Sequence, residues 1–143
     1  MHTLRHGLIL AVAVLVLAAI AGSATTAPAT GQWNPWECEV TAVEPAEYAG
    51  GIWSHGQIKC GQYMDVYVLN CLQWFDRVDQ VYYTVECAEN SATRFAGHLW
   101  ARVIHPCFPG RFRTWTHGHA QWPDGSGAWS DNVVSQPTGP FCW

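Results

Sequence analysis

Charge is scarce in this chain: Asp, Glu, Lys and Arg make up 13% of its 143 residues, about half the ~25% of an average soluble domain. Apolar content is ordinary at 49%, so long disordered tails and coiled-coil rods are excluded. Helical periodicity is missing as well. Pro, Gly, Thr and β-branched residues interrupt the windows in which an amphipathic helix would form. Enzyme signatures are absent: there is no G-x-S-x-G elbow, no H-E-x-x-H helix and no Gly-rich phosphate loop. No two Cys have the close spacing of structural zinc sites, and there is no Asn-x-Ser/Thr acceptor. A formal charge of −4 argues against a nucleic-acid partner.

What is present begins with an export pattern. His2, Arg5 and His6 precede an unbroken apolar run, Leu8 to Ile20, and the small residues AGSATTAPAT follow. A basic start, a short apolar stretch and a small-residue exit define a secretory signal peptide. The sequence therefore predicts a signal peptide over 1–30, cleaved after Ala21, Ala24 or Ala29, and a single secreted β domain over 31–143. The run is shorter than the about 20 residues a bilayer span requires, so no membrane anchor is expected in the mature chain. Arg5 has no paired Arg for the twin-Arg route. All six Cys and all nine Trp lie beyond the signal, in a compartment that permits disulfides.

Period-two alternation supplies the strands. Met64, Val66, Val68, Leu72 and Trp74 alternate with Tyr63, Asp65, Tyr67 and Gln73; Val81, Tyr83, Val85 and Cys87 alternate with Gln80, Tyr82, Thr84 and Glu86. Such alternation marks half-buried antiparallel strands. Further strands are expected at Glu37–Val43, Ile52–Cys60, Phe95–Ile104, Phe112–Trp122 and within Gly127–Ser135. About seven short strands predict an immunoglobulin-like antiparallel sandwich, with a small β-barrel as the alternative. Trp53, Trp74 and Trp122 fit core positions, Trp33, Trp36 and Trp143 lie near chain ends, and Trp100, Trp115 and Trp129 are candidates for exposure.

Six Cys admit many pairings, and hairpin symmetry favours a sequential one. Cys38 and Cys60 are symmetric about the AGG turn, Cys71 and Cys87 about the DRVD turn, and Cys107 and Cys142 about the Asp124-Gly125 step, a strong hairpin signal. Three disulfides would offset the small core of such a domain.

Charge is also uneven along the chain. Nine acidic residues from Glu37 to Asn90 face only Lys59 and Arg77, whereas Arg94, Arg102, Arg111 and Arg113 outnumber Asp124 and Asp131 beyond them. In the segment RFRTWTHGHAQW, a strand would place Arg111, Arg113, Trp115, His117 and His119 on one face. The strand before it aligns Arg94, His98, Trp100 and Arg102. Were these strands neighbours, Trp100, Arg102, Arg111, Arg113, Trp115, His117 and His119 would form one cationic-aromatic surface. Arg forks bind carboxylate, sulfate or phosphate, and Trp offers a flat apolar platform. Such a surface suits an anionic glycan, a cell-wall polymer or a protein partner; an ordinary solvated face with Arg stems over Trp rings is the alternative.

His117 and His119 share a strand face and could reach one copper or zinc ion, with His98 or His105 as a third ligand. An extracellular metal-binding protein is thus the second functional reading. A hydrolase is the third, since catalytic groups can assemble from distant positions; Glu86 and Glu89 are its candidate carboxylate pair. No resident cofactor is expected apart from that ion.

The Ala/Val/Leu-rich export signal, the VYVLNCLQW stretch around Cys71, the Cys107-Phe-Pro-Gly-Arg-Phe-Arg-Thr run and a Cys next to the end together resemble the small secreted β-sandwich proteins of actinobacteria, most without assigned activity. That resemblance implies a secreted, disulfide-containing sandwich and carries over no active-site residue.

Overall fold

In the computed structural model the described residues are 36–142, with a two-residue strand at Ala29–Thr30. The expected signal peptide otherwise lies outside the described residues, as do Trp33 and Trp143. Eight antiparallel strands occupy the described residues: β1 (Ala29–Thr30), β2 (Cys38–Ala42), β3 (Ala46–Tyr48), β4 (Gly51–Asp76), β5 (Val81–Pro106), β6 (Gly110–Gln121), β7 (Ala128–Val134) and β8 (Thr138–Phe141).

β4 and β5 are the frame. Each runs for 26 residues, far beyond the usual ~5–6 of a globular strand, and they pair along their whole lengths. Four strands expected separately are therefore two continuous ones. Alternation could not reveal this, because it persists on both sides of the break and only the register slips. Slips occur between Cys60 and Met64 and between Met64 and Val66. At the same level on β5, Arg94 and Gly97 take positive φ of 46° and 129°, and the Arg94 amide donates to Asp65 Oδ1 at 2.9 Å. Glycine relieves the Cβ conflict of that backbone, and such bulges bend strands sharply. The hairpin folds over itself there.

Each half of β4 then has its own second neighbour. The N-terminal half pairs with β2 and β3, and the C-terminal half with β6, which carries β7 and β8. The result is one sheet curled into a half-barrel whose two layers face each other, a form between the sandwich and the small barrel. The all-β antiparallel class with three disulfides is as the sequence indicates.

Between the layers the even-numbered residues of β4 and β6 meet. A Cβ on Gly118 would overlap Val40 Cγ2 of β2, and one on Gly56 would overlap Thr116, so both glycines are there for close approach. Two apolar clusters fill the interior. One gathers Val40, Ile58, Met64, Val66 and Val68 with Leu99 and Ala120; the other holds Ile52, Leu72, Val103 and Phe112.

A buried polar belt joins the layers. Thr116 Oγ1 donates to Asn70 Oδ1 (3.2 Å), and Asn70 Nδ2 donates to Ser54 O (3.1 Å) and Ser54 Oγ (3.2 Å). Thr114 Oγ1 donates to Val43 O, so its 3.0 Å contact with Ser54 Oγ must have Ser54 as donor, since each hydroxyl carries one proton. Ser54, Asn70, Thr114 and Thr116 are all fully buried and all partnered, the condition under which a buried network stabilises.

The disulfides are Cys38–Cys60, Cys71–Cys87 and Cys107–Cys142, the sequential pairing that hairpin symmetry favours. The first two join residues directly opposite each other on paired strands. The third ties the segment after β5 to the chain end. Nearby, Cys107 N donates to Gly50 O (3.2 Å) and Cys142 N to Glu47 Oε2 (2.9 Å). Such cross-links belong to an oxidising compartment. Among the described residues no helix is long and apolar enough to cross a membrane.

Two tryptophans reverse their expected roles. Trp129 packs against the larger apolar cluster, whereas Trp53 lies on an outer face beneath Arg102. Ile52 is the inward residue of that step, so alternation forces Trp53 outward. β5 keeps one edge unpaired among the described residues, and the Val81–Arg94 stretch is largely exposed.

Candidate functional site

Trp100 and Arg102 do not join the residues of β6. β5 and β6 are not neighbours: both pair with β4, β6 on its second half and the Trp100–Arg102 stretch of β5 on its first. Trp100 and Arg102 lie opposite Gln57 and His55, while Trp115, His117 and His119 lie opposite Cys71, Leu69 and Tyr67. Because the layers pack through their inner faces, the single surface expected from sequence is split between two outer faces.

The face built on the first half of β4 carries two groups of touching rings. The Tyr48 and Trp53 centroids are 5.3 Å apart, edge to face. Arg102 Cζ sits 5.2 Å from the Trp53 ring. His55 meets Trp100 at 5.4 Å, and His98 stacks on Trp100 at 6.2 Å. The His98 ring is fixed by a 2.9 Å hydrogen bond between Nδ1 and Gln57 Oε1. Side chains two apart on a strand share a face, so Trp53, His55 and Gln57 align beside Ile104, Arg102 and Trp100. Tyr48 is 65% exposed, Ile104 52% and Trp100 44%. At one end Tyr48, Trp53, Ile104 and His105 border a recess of about 360 Å³. Burial, then the neighbouring Arg102 charge, lowers the His55 pKa below its ordinary value.

The opposite face is more self-contained. Arg113 donates from Nε to Gln73 Oε1 at 2.8 Å, and its Cζ lies 3.8 Å from the Tyr82 ring centroid. Trp115 stacks on His117 at 6.2 Å, and His117 Nδ1 is within 2.9 Å of Asn132 Oδ1. Tyr67 donates to Glu89 Oε2 at 2.8 Å, which raises its pKa above that of a free phenol. Most polar groups here have partners within the face.

His117 and His119 do share this face. Their proposed third ligands do not reach them, since His98 and His105 pair with the first half of β4. The one group of three potential ligands found together among the described residues is Glu47 with Cys107 and Cys142, and those two sulfurs are joined in a disulfide. Glu86 and Glu89 are separated as well: they pair with Leu72 and Leu69, three residues apart and so on opposite faces of β5, both exposed. Arg111 keeps the outward phase of Arg113 and Trp115 but stands at the start of β6, beside the β4–β5 turn. Tyr48 and His55 were not singled out by the sequence and Trp53 was expected in the core, although the period-two relation of Trp53 and His55 to Gln57 and Lys59 was a usable signal. No protein-family model, curated protein or solved structure matches this chain.

Proposed function

We propose that the protein is exported and acts by binding, holding an anionic glycan of the cell wall or surroundings against the Tyr48–Trp53–Arg102–Trp100 face. The two groups of ring contacts on that face, Tyr48–Trp53 under Arg102 and His55–Trp100–His98, carry the reading, because Tyr48, Trp100 and Ile104 stay exposed there beside Arg102 and Lys59. Flat aromatic rings suit the C–H faces of sugars, and a guanidinium pairs bidentately with carboxylate or sulfate. Export is supported by the Leu8–Ile20 run and by three disulfides. Cleavage after Ala21 or Ala24 leaves β1 whole, paired with Thr41 and Ala42.

Affinity electrophoresis tests the reading, with polygalacturonate and a sulfated glycan set against a neutral glucan. Retardation by the charged polymers is expected, weakened about tenfold or more in Trp100→Ala and Arg102→Ala, the range of a lost interface anchor. Equal retardation of wild type and the double variant would remove this face as the site, and no retardation by any polymer would remove the function.

A further inference from the structure

A second cavity lies away from the aromatic face, between the β4–β5 turn and the first residues of β6. Its volume is about 360 Å³, within the range of small-molecule sites. The walls are apolar: Trp74 and Phe75 from the end of β4, Val78 from the turn, and Pro109 and Pro140. Proline has no N–H, so at those two positions the backbone offers no donor. Charged groups at the lining are Arg77, Arg111 and Asp76.

The two guanidiniums are in a different state from those of Arg102 and Arg113. Arg113 is spent on Gln73 and Tyr82, and Arg102 lies over Trp53. Neither Arg77 nor Arg111 has a side-chain hydrogen bond or ion pair among the described residues. Asp76, the one carboxylate, turns Oδ1 to the amides of Val78 (2.7 Å) and Asp79 (3.4 Å). Two cations against one anion leave a single positive charge, with two donor forks open. Val78, 89% exposed, gives the rim an aliphatic side chain that none of the described residues covers. Behind the wall, Trp74 Nε1 is buried with no partner among the described residues, pressed against Gly110, where a Cβ would overlap it.

We infer that this cavity binds an apolar monocarboxylate, its hydrocarbon body against Trp74, Phe75 and the prolines and its carboxylate held by Arg77 and Arg111. The single excess charge matches one carboxylate, and the planar forks match its geometry. A free organic acid and the C-terminal residue of an apolar peptide present the same chemistry.

The test is NMR titration of the disulfide-bonded protein with 4-phenylbutyrate, its uncharged amide, and a tripeptide ending in Phe with a free or amidated terminus. The acid is expected to shift the Trp74 indole N–H and Val78 amide signals, and each amide to do so at least about tenfold more weakly. Arg77→Gln and Arg111→Gln, both at exposed positions, should each weaken binding about tenfold or more, with the remaining spectrum and the glycan retardation unchanged. Tighter binding of the free-terminus tripeptide than of the acid would identify a chain end as the natural source; the reverse order would identify a free acid. Equal binding of acid and amide, shifts confined to other signals, or Arg variants that bind like wild type would each overturn the inference.

Discussion

Ser54 Oγ donates its one proton to Thr114 Oγ1 across 3.0 Å, linking the first half of β4 to β6 through the middle of the interior. The bond has a fixed direction because Thr114 is already committed to Val43 O. Upstream, Asn70 is the one residue that both accepts from Thr116 and donates to Ser54. Asn70→Leu keeps the volume and removes three buried hydrogen bonds, taking the acceptor from the Thr116 hydroxyl and two donor contacts from Ser54. It should cost ~2–4 kcal/mol in urea unfolding, from the desolvation penalty of the groups that lose those bonds. A loss under about 1 kcal/mol would mean that water or repacking replaces the network.

Close approach of β6 to β2 yields a paired test. Gly118→Ala drives a methyl into Val40 and should destabilise by ~1–3 kcal/mol, the usual cost of overpacking. Adding Val40→Ala opens the space again. The double variant should therefore lose less than the two single losses together, by ~0.5–3 kcal/mol for residues in contact. Strict additivity in the cycle would show that the layers are not in register at this point.

His55 gives the fold a pH dependence with a definite sign. Its pKa in the folded chain lies below the unfolded value, chiefly through burial and then through Arg102. The unfolded chain thus takes up a proton first on acidification. Stability is unaffected by this group above the unfolded pKa of about 6.5, begins to fall as the pH drops below it, and stops falling below the folded pKa. His55→Gln should remove that component, so wild type loses ground to the variant between pH 7.5 and 5 in urea titrations. Parallel pH profiles would contradict it.

How much of this was legible in the sequence depended on the range of the signal. Met64, Val66, Val68 and Leu72 announce their inward face by strict alternation, and all are buried. Cys71 and Cys87 flank one local turn, so their pairing could be read from symmetry. The corner near Gly61 to Asp65 left no such trace, because a register slip changes partners without changing the alternating pattern. For the same reason the division of Trp100 and Arg102 from Trp115 and His117 was hidden. It follows from which half of β4 lies beside the Trp100–Arg102 stretch and which beside β6, a non-local choice. The cavity beside Arg111 needed three distant segments at once, since Trp74, Pro109 and Pro140 become neighbours only in the folded chain.

The long unpaired margin of β5 has a consequence for behaviour at high concentration. A margin of 26 residues would ordinarily template the addition of further chains into fibrils. Here the corner at Arg94–Gly97 divides it into two pieces that run in different layers, and Glu86, Glu89 and Arg102 place charge along both. A straight incoming segment can follow it only as far as the bend, so the crease that shapes the half-barrel also shortens the run of backbone open to a neighbouring molecule.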